Sequence, residues 1–268
     1  MIPLRDDNPS RITPLVTISL VVACVIVFVW QLSLGGRGDQ QATYSLGLIP
    51  SVLFGIHHLP PALVLVPPAA TIFTSMFLHG GWMHIIGNML YLWIFGDNVE
   101  DAMGHARFLV FYLTCGVAAA LTQALLDPQS TLPMVGASGA ISGVLGAYLL
   151  LYPWSKVHVF LWIVIFFRIV TVPAWILLGL WFAMQLVSGV SRPAGSPGVA
   201  FWAHIGGFVS GLILVVVLRP AGVPLFLPAR SRGFVAISPR AFAGRRTFHR
   251  GSVPDTGRPY REPPRPWG

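Results

Sequence analysis

The sequence predicts an all-α polytopic membrane protein, a bundle of six transmembrane helices. Three observations predict it. Of 268 residues, 54% are hydrophobic and only 10% charged, whereas a soluble domain carries about 25% charge. The mean hydropathy of +0.71 means more apolar surface than one soluble core can bury. Six apolar runs divide the chain, and its basic residues collect at alternate ends of those runs.

Residues 1–13, with Arg5 and Arg11, form an N-terminal segment expected in the cytoplasm. The first run, 14–33, is too long for a removed signal peptide and has no small-residue cleavage site behind it, so it is read as a true span. An outer loop of about 34–78 follows, carrying Gly35-Gly36, His57-His58 and Pro60-Pro61. It is too long for a turn. Its apolar residues Leu48, Ile49, Val52, Leu53 and Phe54 are expected to lie against the outer interface, as helix or as hairpin.

Further spans are expected at 79–97, 107–126, 137–152, 172–188 and 199–218. Between the fourth and fifth, Val157–Val170 is apolar and rich in β-branched and aromatic residues, but Arg168 and Pro173 interrupt it. It is read as an interfacial or re-entrant segment, with a seventh span as the competing reading. The fifth span's Trp175, Trp181 and Phe182 are read as lipid-facing or core aromatics, with a side gate as the alternative. Residues 219–268 turn to Arg, Pro and Gly and predict a disordered basic tail that attracts anionic lipid headgroups.

Six spans with a cytoplasmic N-terminus put Arg5, Arg11, Arg107, Lys156, Arg168, Arg219 and nine tail arginines inside, 15 of the 17 basic residues. Only Arg37 and Arg192 face outward. The positive-inside rule accounts for that bias and puts both termini in the cytoplasm. Because the net charge of +8 sits mostly in the tail, nucleic acid is not expected as a partner. Cys24 and Cys115 lie inside apolar runs, where a thiol behaves as a small hydrophobe, and imply neither disulfide nor metal.

Polar groups in hydrocarbon are costly, so His79, His84, Asn88, Ser138, Ser142 and His204 require explanation. Each has a bland one: a histidine can bond a carbonyl across a helix interface, and a serine can bond back to its own helix. In the six-span topology, however, spans two, four and six all run from outside to inside. That sets His84, Ser138 and His204 near the outer ends of their spans, at one depth. Span four, 15 residues from Ser138 to Tyr152 before Pro153, rises about 22 Å against ~30 Å of hydrocarbon. Ser138 therefore starts its helix below the outer surface, and Pro133-Met134-Val135-Gly136-Ala137 must be irregular backbone at membrane depth, which is tolerated where it is buried or lines a water-filled cavity, as a hydrolase needs.

A serine at a helix N-terminus has unpaired N–H groups and the positive end of the macrodipole beside it, which suits an oxyanion. His204, alone among histidines on span six, is the expected base for the Ser138 hydroxyl. His84 and Asn88, four apart on one face of span two, are assigned to the oxyanion site. Gly139, Gly143 and Ala147 form a small-residue column, as do Ala203, Gly207 and Gly211; with Gly136 these glycines are expected to support close helix packing. No Asp or Glu lies in spans four to six, so a Ser–His dyad is expected instead of a triad. No His-Glu-x-x-His motif or pair of intramembrane aspartates is present, and no metal or other cofactor is expected.

The runs His79-Gly80-Gly81-Trp82-Met83-His84-Ile85-Ile86-Gly87-Asn88, Gly136-Ala137-Ser138-Gly139 and Ala203-His204-Ile205-Gly206-Gly207 closely resemble rhomboid proteases over roughly residues 14–218. The resemblance implies an intramembrane serine endopeptidase in which Ser138 is the nucleophile and His204 the base. It also implies that His84, Asn88 and the Ser138 N–H are oxyanion donors. The implied partners are transmembrane substrates cut near their outer ends. Two positions depart from the pattern: Ala70-Thr71 replaces the Trp-Arg pair often found before span two, and Ser142 stands where some members carry an aromatic that stacks on the histidine. The alternatives are a catalytically silent rhomboid-like protein that binds or chaperones membrane proteins, and a transporter, for which no internal repeat is found. A bacterial inner membrane is the expected home, since no Arg-rich presequence is visible.

Overall fold

The computed structural model describes residues 2–163, 166–191, 193 and 198–228. Arg192 and the tail beyond residue 228 lie outside the described residues, as do both expectations for that tail. Six helices of 14–22 residues dominate: α1 (Leu15–Ser33), α5 (Trp82–Met103), α6 (His105–Leu126), α7 (Ser138–Leu151), α8 (Ala174–Ser191) and α9 (Phe201–Leu218). Between α1 and α5 lie the shorter helices α2 (Gly35–Leu46), α3 (Pro50–Leu53) and α4 (Thr71–Thr74). The chain is an integral membrane protein: α1, α6, α8 and α9 are each long and apolar enough to cross a bilayer. Of the other two, α7 has 14 residues and α5 carries Asp97, Glu100 and Asp101 near its C-terminal end.

The all-α expectation needs correction. Strands β1 (Ile2–Asp6), β2 (Lys156–Ile163) and β3 (Phe166–Pro173) form an antiparallel sheet in the order β1-β2-β3. The stretch expected to be interfacial or re-entrant is therefore a β-hairpin, with Val157 opposite Val172 and Val159 opposite Val170. Its β-branched and aromatic residues favour extended backbone, and Val157 and Val159 both turn into the core. The N-terminal segment joins as an edge strand, where Pro3 is tolerated because no inner ladder needs its missing N–H.

This sheet ties together the ends of several helices. The N-terminal segment pairs with the α7–α8 connection, and Phe226 N and Leu227 N donate to Leu150 O and Leu151 O at the end of α7. Glu100, fully buried near the end of α5, accepts from Val16 N (2.9 Å), Thr17 N (2.8 Å) and Thr17 Oγ1 (2.7 Å). It thereby caps α1, whose Pro14 offers no side-chain cap. The start of α1, the end of α5, the end of α7 and the chain after α9 are thus joined through direct bonds, with His105 at the start of α6 beside Glu100.

The segment expected as an outer loop is helix rather than hairpin, and only partly superficial: Leu48 and Ile49 are buried while Phe54 is exposed. Leu48 exchanges two backbone hydrogen bonds with Met134, at 3.0 and 2.7 Å. Gly136 N donates to Ser75 O at 2.8 Å. The irregular run before Ser138 is held by those bonds.

The core centres on α7, packed between α5, α6 and α9 around Phe95, Phe108, Phe111, Tyr112, Tyr148 and Phe208. A Cβ on Gly207 would collide with the carbonyl of Gly139, one on Gly211 with that of Gly143, and one on Gly146 with that of Phe208. The α7–α9 crossing is therefore backbone against backbone, which only glycine permits.

Candidate active site

Ser138 is the first residue of α7, half-buried, and its Oγ lies 2.8 Å from Nε2 of His204, in the first turn of α9. The glycine contacts bring the two helices close enough for that bond. On the far side of the imidazole, Nδ1 is 2.8 Å from Oε1 of Gln185 on α8. A carbonyl oxygen only accepts, so Nδ1 carries the proton and Nε2 is left as the acceptor for the Ser138 hydroxyl. That is the arrangement in which the imidazole can remove the proton of the serine.

His84 and Asn88 converge on the same place from α5. Gly136, at φ +121°, passes so close that a Cβ there would lie 2.7 Å from Cε1 and Nε2 of His84 and 3.5 Å from Nδ2 of Asn88. Gly80 N donates to Nδ1 of His84 at 3.3 Å, which leaves Nε2 as the protonated nitrogen facing Gly136. The Asn88 amide nitrogen is buried and, among the described residues, has no hydrogen-bond partner. The first N–H groups of α7 are free of helical partners by the geometry of any helix start. His84, Asn88, Gly136, Ser138, Trp181 and His204 all line one cavity of about 850 Å³.

The remaining polar residues separate from this group. Ser142 donates back to Ser138 O at 2.6 Å, the ordinary fate of a helical serine. His79 precedes α5, so the helix expected at 79–97 begins at Trp82; the His79 backbone N donates to Gln31 Oε1 at 2.9 Å, and the His79 ring packs edge-on against His84. Of the three span-five aromatics, Trp181 lies 5.9 Å from the His204 ring and Phe182 stacks on Phe208 at 4.5 Å, whereas Trp175 is exposed. Gln185 escaped the sequence reading, although a lone amide in an apolar span, one turn from Trp181, was the signal available. Among the described residues no group of His, Cys, Asp or Glu could hold a metal ion.

Comparison with known proteins gives the same region a lineage. The chain is 35% identical to RHOMBOID-like protein 4 of Arabidopsis thaliana over 145 residues, 53% of this chain and 33% of that one. It is 34% identical to Rhomboid-like protease 5 of Toxoplasma gondii over 143 residues, 52% of this chain and 15% of that one. Rhomboid protease GluP of Bacillus subtilis is 42% identical over 76 residues, 28% of this chain and 14% of that one. The chain thus spans a third or less of the length of these relatives. The Rhomboid domain profile matches residues 68–221, a segment that holds His84, Asn88, Ser138 and His204, and the chain belongs to the rhomboid family.

Proposed function

We propose that this protein is an intramembrane serine endopeptidase that hydrolyses peptide bonds in or near transmembrane segments of other membrane proteins. The observation that carries the reading is the 2.8 Å approach of Ser138 Oγ to His204 Nε2 at the head of α7, in a cavity that also receives an unpartnered Asn88 amide. His204 takes the proton of Ser138 as its oxygen attacks the substrate carbonyl. The Ser138 N–H, His84 Nε2–H and Asn88 Nδ2–H stabilise the resulting oxyanion. The amine leaves with the proton held by His204, and water then hydrolyses the acyl-enzyme with His204 again as base.

In this reading α5 and α7 cross the bilayer with the other four long helices. The α7 helix rises only about 21 Å, less than the ~30 Å of hydrocarbon, so Ser138 lies below one membrane surface. The sheet that joins the N-terminal segment to the α7–α8 connection supports placing Arg5, Lys156 and Arg168 on one side, which the positive-inside rule makes the cytoplasm. The basic tail after Arg219 then meets anionic lipid at the cytoplasmic face.

The test is cleavage of a model transmembrane substrate by purified protein in detergent, comparing wild type with Ser138→Ala and His204→Ala, with and without a metal chelator. Cleavage by wild type alone, indifferent to the chelator, is expected. Undiminished cleavage by Ser138→Ala overturns the mechanism. An inert wild type on several substrates favours a silent membrane-protein binder.

A further inference from the structure

We propose that Gln185 is a positioning residue for the base: its side-chain carbonyl holds the proton of His204 on Nδ1 and so aims the Nε2 lone pair at Ser138. The proposal rests on the serine-protease reading above.

A neutral imidazole has two tautomers, and only one can accept from Ser138. If the proton sat on Nε2, the histidine would donate to Ser138 Oγ and could not activate it. Something must bias the choice, and a carboxylate normally does so in a catalytic triad. Among the described residues touching His204, no carboxylate is found: Nε2 meets Ser138, Nδ1 meets Gln185 Oε1 at 2.8 Å, and the ring lies 5.9 Å from Trp181 at an interplanar angle of 36°. An amide oxygen selects the tautomer as a carboxylate would, without a charge whose transfer into hydrocarbon is costly.

The two groups that fix the ring both come from α8. Trp181 and Gln185 are four apart, one turn, on one face of that helix. Among the described residues α7 brings no ring to His204, and its Ser142 turns its hydroxyl to Ser138 O. Orientation of the base therefore comes from an element that carries neither the nucleophile nor the base. Gln185 sits toward the C-terminal end of α8 and His204 toward the N-terminal end of α9, so the antiparallel pair brings them to one level.

The experiment uses purified full-length protein in detergent with nitrogen-15-labelled histidine, the His204 signals being assigned by their loss in His204→Ala. Gln185→Met keeps the length and volume of the side chain and removes the acceptor. Gln185→Glu keeps an acceptor. Gln185→Ala replaces the Met variant should that one not fold, as judged by its thermal melt.

Wild type should show His204 protonated at Nδ1, and Gln185→Met a shift of the population toward Nε2–H. Covalent labelling of Ser138 by a fluorophosphonate and kcat on a model substrate should both fall about 10- to 100-fold, with KM changed by less than about two-fold. Gln185→Glu should recover most of the labelling rate. Wild-type tautomer and wild-type labelling in Gln185→Met overturn the proposal, and so does a Glu variant as slow as the Met variant. A tautomer shift in Gln185→Met alongside a wild type that never labels supports the positioning role and instead defeats the protease reading.

Discussion

Gly207 of α9 lies so close to the carbonyl of Gly139 on α7 that no Cβ can be accommodated between them. The same relation holds one turn on, between Gly211 and the carbonyl of Gly143. Because Gly139 adjoins Ser138 and Gly207 lies one turn from His204, this crossing sets the distance between the proposed nucleophile and base.

Gly207→Val should therefore separate the helices. Overpacking a core costs ~1–3 kcal/mol, and here the obstacle is backbone, which cannot rotate aside. The thermal melt in detergent should fall by several degrees, and fluorophosphonate labelling of Ser138 should be lost. Gly179→Ala, where a Cβ meets nothing within 4 Å, should leave both unchanged.

Gly136→Ala should act on chemistry more than on folding. The residue has φ +121° and faces the His84 ring at 2.7 Å from the position a Cβ would take. Alanine strains that backbone by about 1–3 kcal/mol and pushes His84 from the proposed oxyanion site. Cleavage should drop about 100-fold while the protein still purifies as a folded monodisperse species. Equal loss of folding and activity would assign Gly136 to architecture alone.

The long helices and the closeness of Ser138 to His204 were legible because each leaves a one-dimensional trace: long apolar runs, and polar residues that are rare within them. The β2–β3 hairpin was not. Its residues from Val157 to Val170 are apolar at nearly every position, so the alternation that separates strand from buried helix is masked even though Val157 and Val159 point inward. The β1 strand is five residues long and contains Pro3, which leaves almost no local signal. Gln185 was missed for another reason: its role depends on a contact across two helices, which no pattern along α8 encodes.

Glu100 should prove structural. Its carboxylate accepts three hydrogen bonds from Val16 and Thr17 while fully buried, with His105 Nδ1 2.5 Å away. Glu100→Ala orphans those donors, each costing about 1–3 kcal/mol, and should lower the melting temperature by roughly 6–12 °C if only about 3 kcal/mol is lost. Glu100→Gln retains one acceptor and should lose less. Comparable melts for Glu100→Ala and wild type would remove Glu100 from the account of how α1 starts.

Stability should depend on pH through Asp6. Burial, with the charge of Asp97 beside it, pushes this carboxyl from 3.8 up to about 7, against the opposing hydrogen bond from Tyr148. The folded protein thus holds the proton more tightly than the unfolded chain does. Its contribution to stability is full below about pH 4 and is lost as the pH rises through about 7. Wild type should melt at a lower temperature at pH 8 than at pH 5, and Asp6→Asn, which cannot ionise, should flatten that difference. Parallel slopes for the two proteins would show that other groups set the dependence.

Asn88 separates stability from function most cleanly. Its amide nitrogen bonds no group among the described residues, and it faces the place where an oxyanion would form beside Gly136 and Ser138. Asn88→Leu removes the unsatisfied donor while keeping a similar volume. The melting temperature should change little, because no described protein group is bonded through that nitrogen. The rate should fall about 10²- to 10³-fold, the usual loss when one oxyanion donor is removed. The fall should appear in kcat with little change in KM, since the donor engages charge that develops only during attack. A variant that lost stability and kept its kcat would mean that Asn88 holds α5 in place and has no part in the chemistry.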